Sequence, residues 1–175
     1  MLLRTGRWAA LSTAHRHFLL IEHGLGAAAI NFAISGGLAW IESSAATSVP
    51  LWGWSSAAAD TLVTAFVLPL VTCLLVSRIA ENQVAQNRVL PLSPVQGPFG
   101  NGAHYSRAGW GAQLGTMAVL FVAAPVLLIF TSLGVSSLAP WQFVAFEGLM
   151  GAALGFVLTP LIVWRAIVDR SSEAP

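Results

Sequence analysis

Three carboxylates in apolar surroundings are the residues best able to do chemistry. Glu42, Asp60 and Glu147 lie at or just inside the ends of long apolar runs, and no arginine or lysine occurs between Arg16 and Arg78 or between Arg107 and Arg165. An acid in an apolar medium with no cation in reach must face water, share a proton, bind a cation or meet a basic partner. Glu147 follows Trp141 by six residues, about 9 Å along a helix. Asp60 follows Trp54 by the same spacing. Both acids are expected at one depth. Asp60, Glu147 and Glu42 form the acidic candidate site: a proton or cation site in the functional reading, a wet mouth in the bland one.

The second group is "HRHFLLIEH", with His15, His17, Glu22 and His23. Imidazole and carboxylate ligate zinc or iron. Side chains meet on a helix when three or four residues apart, and no two of these four are. His15 and Glu22 share a face but stand about 10 Å apart. A metal here requires the chain to fold back before Phe18 or a second subunit to contribute ligands. Anchoring at lipid headgroups explains the cluster more simply. No histidine lies near the acids to activate a serine, so no nucleophile constellation is visible. The sequence names no cofactor.

Elements that position these groups follow from composition. Of 175 residues, 56% are hydrophobic and 9% charged, and the mean hydropathy is +0.75. Soluble domains carry about a quarter charged residues, so lipid is the expected solvent. A net charge of +1 gives no field for nucleic acid. Cys73 is the single cysteine and is expected to be a packed thiol.

Hydropathy predicts four transmembrane helices near residues 18–41, 56–77, 112–134 and 142–168, each about 20 residues or more, enough for a 30 Å core. All eight basic residues are arginines. Arg4, Arg7 and Arg16 precede the first span; Arg78, Arg88 and Arg107 separate the second from the third; Arg165 and Arg170 flank the end of the fourth. This places every arginine on one side, which the positive-inside rule makes cytoplasmic. Tryptophans 40, 52, 54 and 141 are expected at the far interface and tryptophans 8, 110 and 164 at the near one. The prediction is an all-α membrane protein of four transmembrane helices with both termini cytoplasmic. It is one domain over 1–175, with a cytoplasmic Pro/Gly-rich loop at 78–111 that is a connector or a partner-binding loop.

Lipid gives helices little drive to associate, so contact rests on small residues and polar bonds. Asn31 and Ser35 in the first span and Gly148, Gly151 and Gly155 in the fourth are the candidate packing positions. Asn31 is read as an interhelical hydrogen-bonding group worth about 1 kcal/mol, with ligand contact as the other reading. Pro69, Pro125 and Pro160 each remove a helix donor and are expected to bend their spans, with Thr64 and Thr159 close enough to bond a freed carbonyl.

The fourth span, "EGLMGAALGFVLTPLIVW" followed by Arg165, resembles small bacterial inner-membrane proteins. The resemblance implies a multi-pass protein of the bacterial cell inner membrane and no activity. Three functions remain open. The first is an accessory or structural subunit that binds protein or lipid. The second is an oligomeric transporter or channel component for a cation, proton or small solute. The third is a lipid-modifying enzyme. Expected partners are membrane lipids and either further copies of the chain or other membrane-protein subunits.

Overall fold

A computed structural model describes residues 17–86 and 106–172. Four helices in it are long and apolar enough to cross a membrane: Phe18–Ser43, Ala57–Gln83, Arg107–Ser132 and Pro140–Val168. They are called α1 to α4 here. α2 as a whole runs Ala57–Ala85 and α4 runs Pro140–Ser172. Two short strands, β1 (Val49–Pro50) and β2 (Ser137–Leu138), lie in the loops that follow α1 and α3.

α4 is the axle of the bundle. Of its most apolar stretch 61% is buried, against 22%, 22% and 28% for α1, α2 and α3. α1 packs along α4, α2 packs on both α4 and α3, and α3 closes on α4 through side chains. Ala65 of α2, Ala118 and Ala123 of α3, and Met150 and Leu154 of α4 fill the middle. The outward faces carry large apolar side chains at helical spacing, such as Ile30, Ile34, Leu38 and Ile41 on α1. Such faces suit a hydrocarbon solvent.

The helices approach closely where glycine removes the Cβ. A Cβ on Gly111 would stand 2.9 Å from Leu70 Cα, and one on Gly115 would stand 2.5 Å from Phe66 O. These two glycines let the backbone of α3 lie against that of α2.

Two helix boundaries depart from hydropathy. α2 continues past Ser77 to Ala85. Arg78 ends the apolar run, but Ile79 to Ala85 contains no glycine or proline and mostly good helix formers, so the helix has no reason to stop. α3 begins at Arg107 rather than near 112, because Ser106 caps it by accepting from Gly109 N at 3.1 Å. The loop expected at 78–111 is therefore shorter. Most of it, 87–105, lies outside the described residues.

The prolines behave in two ways. Pro69 and Pro160 sit inside α2 and α4 without ending them. Pro125 opens the last segment of α3, directly after a π-helical stretch, Val119–Ala123. The wider turn accommodates the ring and the missing donor. Phe18–Leu25 at the start of α1 is also π-helical. Thr159 does not bond a freed carbonyl: its buried hydroxyl has no hydrogen-bond partner among the described residues.

At the end where no arginine lies among the described residues, the two loops are tied together. β1 and β2 pair antiparallel, Val49 opposite Leu138 and Pro50 opposite Ser137. Leu51 N donates to Ser136 O at 2.9 Å, and Trp52 Nε1 donates to Thr131 Oγ1 at 3.0 Å. Gly53, with φ 132°, turns the chain into α2 in a conformation that favours glycine. At the other end Arg107 pairs with Glu81 at 2.5 Å, and the guanidinium of Arg165 lies 4.7 Å from the Trp110 ring centroid.

Candidate functional site

The position of Glu147 is set by how α2 begins. Ser56 caps that helix, accepting from Ala59 N at 3.2 Å and donating to Gly53 O at 2.8 Å. Ala58 N donates to Leu51 O at 3.0 Å. These bonds join the first turn of α2 to the strand-paired loops, so Asp60 and Thr61 are held at a fixed rotation against α4.

Glu147 is completely buried, with 0% of its surface exposed. Its Oε1 is in close hydrogen-bond contact with Thr61 Oγ1. Its Oε2 has no hydrogen-bond partner among the described residues. Thr61, itself fully buried, also lies 2.6 Å from the Ala57 carbonyl one turn back. The chain contains no lysine. The arginines whose surroundings are described, 78, 107 and 165, belong to the opposite end. Burying a carboxylate without a cation is costly enough that the group neutralises or finds strong donors.

Glu42 and Asp60 occupy a different place. Both line a cleft of about 610 Å³ with Ser43, Trp54, Ser56 and Phe143. Asp60 is half-buried there and Glu42 is exposed. Phe143 precedes Glu147 by one turn of α4, so Glu147 lies beneath the cleft wall and not in it. The structure brings Glu42 and Asp60 together and sets Glu147 one layer below, and the charges of both reach it. Of the four ways to accommodate an unpaired acid, facing water describes the cleft pair. Glu147 has a neutral hydroxyl instead. Thr61 is the residue that sequence reasoning missed. Its one signal was its place beside Asp60, at a level able to meet Glu147.

His17 and Glu22 are exposed. His23 is half-buried, edge-on to Phe18 with ring centroids 4.5 Å apart. His15 lies outside the described residues. No three metal-ligating side chains come together among the described residues. Glu22 makes no ion pair among them either.

The packing positions meet in one seam between α1 and α4. A Cβ on Gly151 would stand 2.5 Å from Ser35 Oγ and 2.9 Å from Asn31 O. One on Gly155 would fall on Asn31 Nδ2 and 3.0 Å from Ala27 O, and one on Gly148 would stand 2.9 Å from the Phe32 ring. Asn31 and Ser35 thus occupy room that glycine leaves.

Compared with protein-family models, with curated proteins and with solved structures, the chain matches none.

Proposed function

We propose that the chain is a multi-pass protein of a bacterial inner membrane, with both termini cytoplasmic, that serves as an accessory or structural subunit in contact with lipid and membrane-protein partners. The observation that supports this reading is the packing asymmetry. α4 is largely covered, while α1, α2 and α3 each bury less than a third of their apolar stretch. Their outer faces are free for lipid and neighbouring helices, and the interior is filled by side chains. The arginine partition supports the orientation. Purification in mild detergent followed by native mass determination tests it. Co-purification of different membrane subunits is the expected result, and a pure homo-oligomer counts against it.

A second reading, an oligomeric transport component for protons or cations, draws on one observation: a fully buried acid beneath an acid-lined cleft. Glu147→Gln in proteoliposomes discriminates. Flux or proton coupling that disappears with this substitution favours transport, and unchanged flux removes Glu147 as the coupling group.

A further inference from the structure

We propose that Glu147 is a buried proton-binding site, held as the neutral acid that donates to Thr61 and exchanging its proton with the cleft lined by Glu42 and Asp60. The inference stands whether the chain is a subunit or a transport component.

The argument counts protons. The Thr61 hydroxyl has one hydrogen and two acceptor lone pairs. Two oxygens crowd it, the Ala57 carbonyl and Glu147 Oε1. A carbonyl has no proton to give, so the 2.6 Å contact to Ala57 O uses the hydrogen of Thr61. The same back-bond recurs elsewhere in the molecule: Ser43 donates to Ala39 O at 2.6 Å, Thr116 to Ala112 O at 2.9 Å and Thr131 to Leu127 O at 2.9 Å. Helical threonines and serines in general bond this way. With its hydrogen committed, Thr61 can only accept from Glu147, and only a protonated carboxyl donates.

The surroundings agree. Charged groups facing Glu147 come from two elements, Glu42 of α1 and Asp60 of α2, and both are acids. α3 carries no titratable side chain beyond Arg107 at its far end, the paired loops carry none, and α4 has no other until Arg165. Among the described residues, nothing on any packed element supplies a counter-charge for an ionised Glu147. Its second oxygen, which an anion would need solvated, is buried without a partner among the described residues.

Exchange is a proton transfer. The O–H bond of Glu147 breaks, and the proton passes to a water molecule entering from the cleft and from that water to the Asp60 carboxylate. The Thr61 hydroxyl then rotates, releases the Ala57 carbonyl and donates to the new carboxylate. Electron pairs stay on oxygen throughout. The ionised state is left with one donor where a carboxylate has about four acceptor positions, so it favours separation of α2 from α4 and entry of water. Proton occupancy is thereby linked to the α2–α4 contact.

Infrared spectroscopy of the purified protein in lipid nanodiscs tests this. At neutral pH the wild type should show the C=O stretch of a protonated carboxyl. That band should vanish in Glu147→Gln and persist in Asp60→Asn and Glu42→Gln. In Thr61→Val it should move to higher frequency, because the acid loses its acceptor, and in Thr61→Ser it should stay in place. The Thr61 pair reads the band in chains that keep Glu147, so the test survives if Glu147→Gln does not fold. Identical acid regions in wild type and Glu147→Gln, or a band unmoved by Thr61→Val, overturn the proposal. Loss of the band in Asp60→Asn with its retention in Glu147→Gln assigns the proton to the wrong acid and does the same.

Discussion

Gly155→Ala should destabilise the bundle, and Gly37→Ala, on the outer face of α1, should not. A methyl at 155 meets two groups. The Asn31 amide lies directly in its path, and the Ala27 carbonyl stands 3.0 Å away. The amide can rotate, but only by giving up its place in the seam, at about 1 kcal/mol for an interhelical polar contact. The carbonyl belongs to the α1 backbone and moves only if the helices part, which overpacking data put at about 1–3 kcal/mol. Against these stands the gain of about 1 kcal/mol for alanine over glycine in a helix. The balance is about 1–3 kcal/mol of lost stability. At Gly37 nothing lies within 4 Å of the added methyl, so only the propensity gain of up to about 1 kcal/mol acts. Reversible unfolding in mild detergent, read by tryptophan fluorescence, measures both variants against wild type. The reasoning fails if Gly155→Ala unfolds no more easily than wild type, or if the two variants weaken alike. Either result would mean that α1 and α4 do not meet along Asn31, Gly151 and Gly155.

A Val49→Cys, Leu138→Cys pair in a Cys73→Ala background should form a disulfide on mild oxidation, because directly opposed antiparallel residues have Cα atoms about 4.5–5.5 Å apart, within disulfide range. A chain whose mobility on non-reducing gels stays unchanged would remove the paired loops. Thr159→Val should hold or raise stability, by up to about 1–2 kcal/mol, since it removes a buried hydroxyl with no partner among the described residues; a clear loss in the same unfolding assay would mean that the hydroxyl has an essential bond. Glu81→Gln should cost less than about 1 kcal/mol, and less still in high salt, because the ion pair with Arg107 is partly exposed; a larger, salt-independent loss would mark the pair as a main fastening of α2 to α3.

Helices long enough to span were legible because hydropathy over a span-length window is a strong signal, and three of the four starting points fell within about two residues. The ends near arginine were not. Arg78 marks where the apolar run stops, but a helix outlasts its apolar run when Ile79 to Ala85 can all be helical. The small residues of the first and fourth spans were legible as surfaces, while their pairing required the rotation of each helix. The β1–β2 ladder left no trace in the sequence. Two-residue strands have no period to detect, and Val49 and Leu138 are far apart in the chain. Glu147 stood out as an acid in an apolar run. Thr61 did not, because a threonine in an apolar helix is commonplace, and only the relative rotation of α2 and α4 makes this one a partner.

The two ends of the bundle are fastened by different chemistry, and the arginine partition explains the difference. Where arginine is present, charge does the fastening: Arg107 holds Glu81 and Arg165 covers Trp110. Among the described residues the opposite end has acids and no basic side chain, so no ion pair among them closes it. It is closed by neutral bonds instead: a short β ladder, the Trp52 indole on Thr131, the Ser56 cap, and the Thr61 contact with Glu147. An acid can join such a set on two terms. It can face the cleft, as Glu42 and Asp60 do, in contact with water. Or it can enter the interior and take part as a hydrogen-bond donor. Glu147 is the one acid at this end with no exposed surface, and its neighbour's hydrogen is already committed to a carbonyl. The segregation of arginine that supports the proposed orientation thus also leaves Glu147 without a counter-charge among the described residues, which is why we propose that it carries a proton.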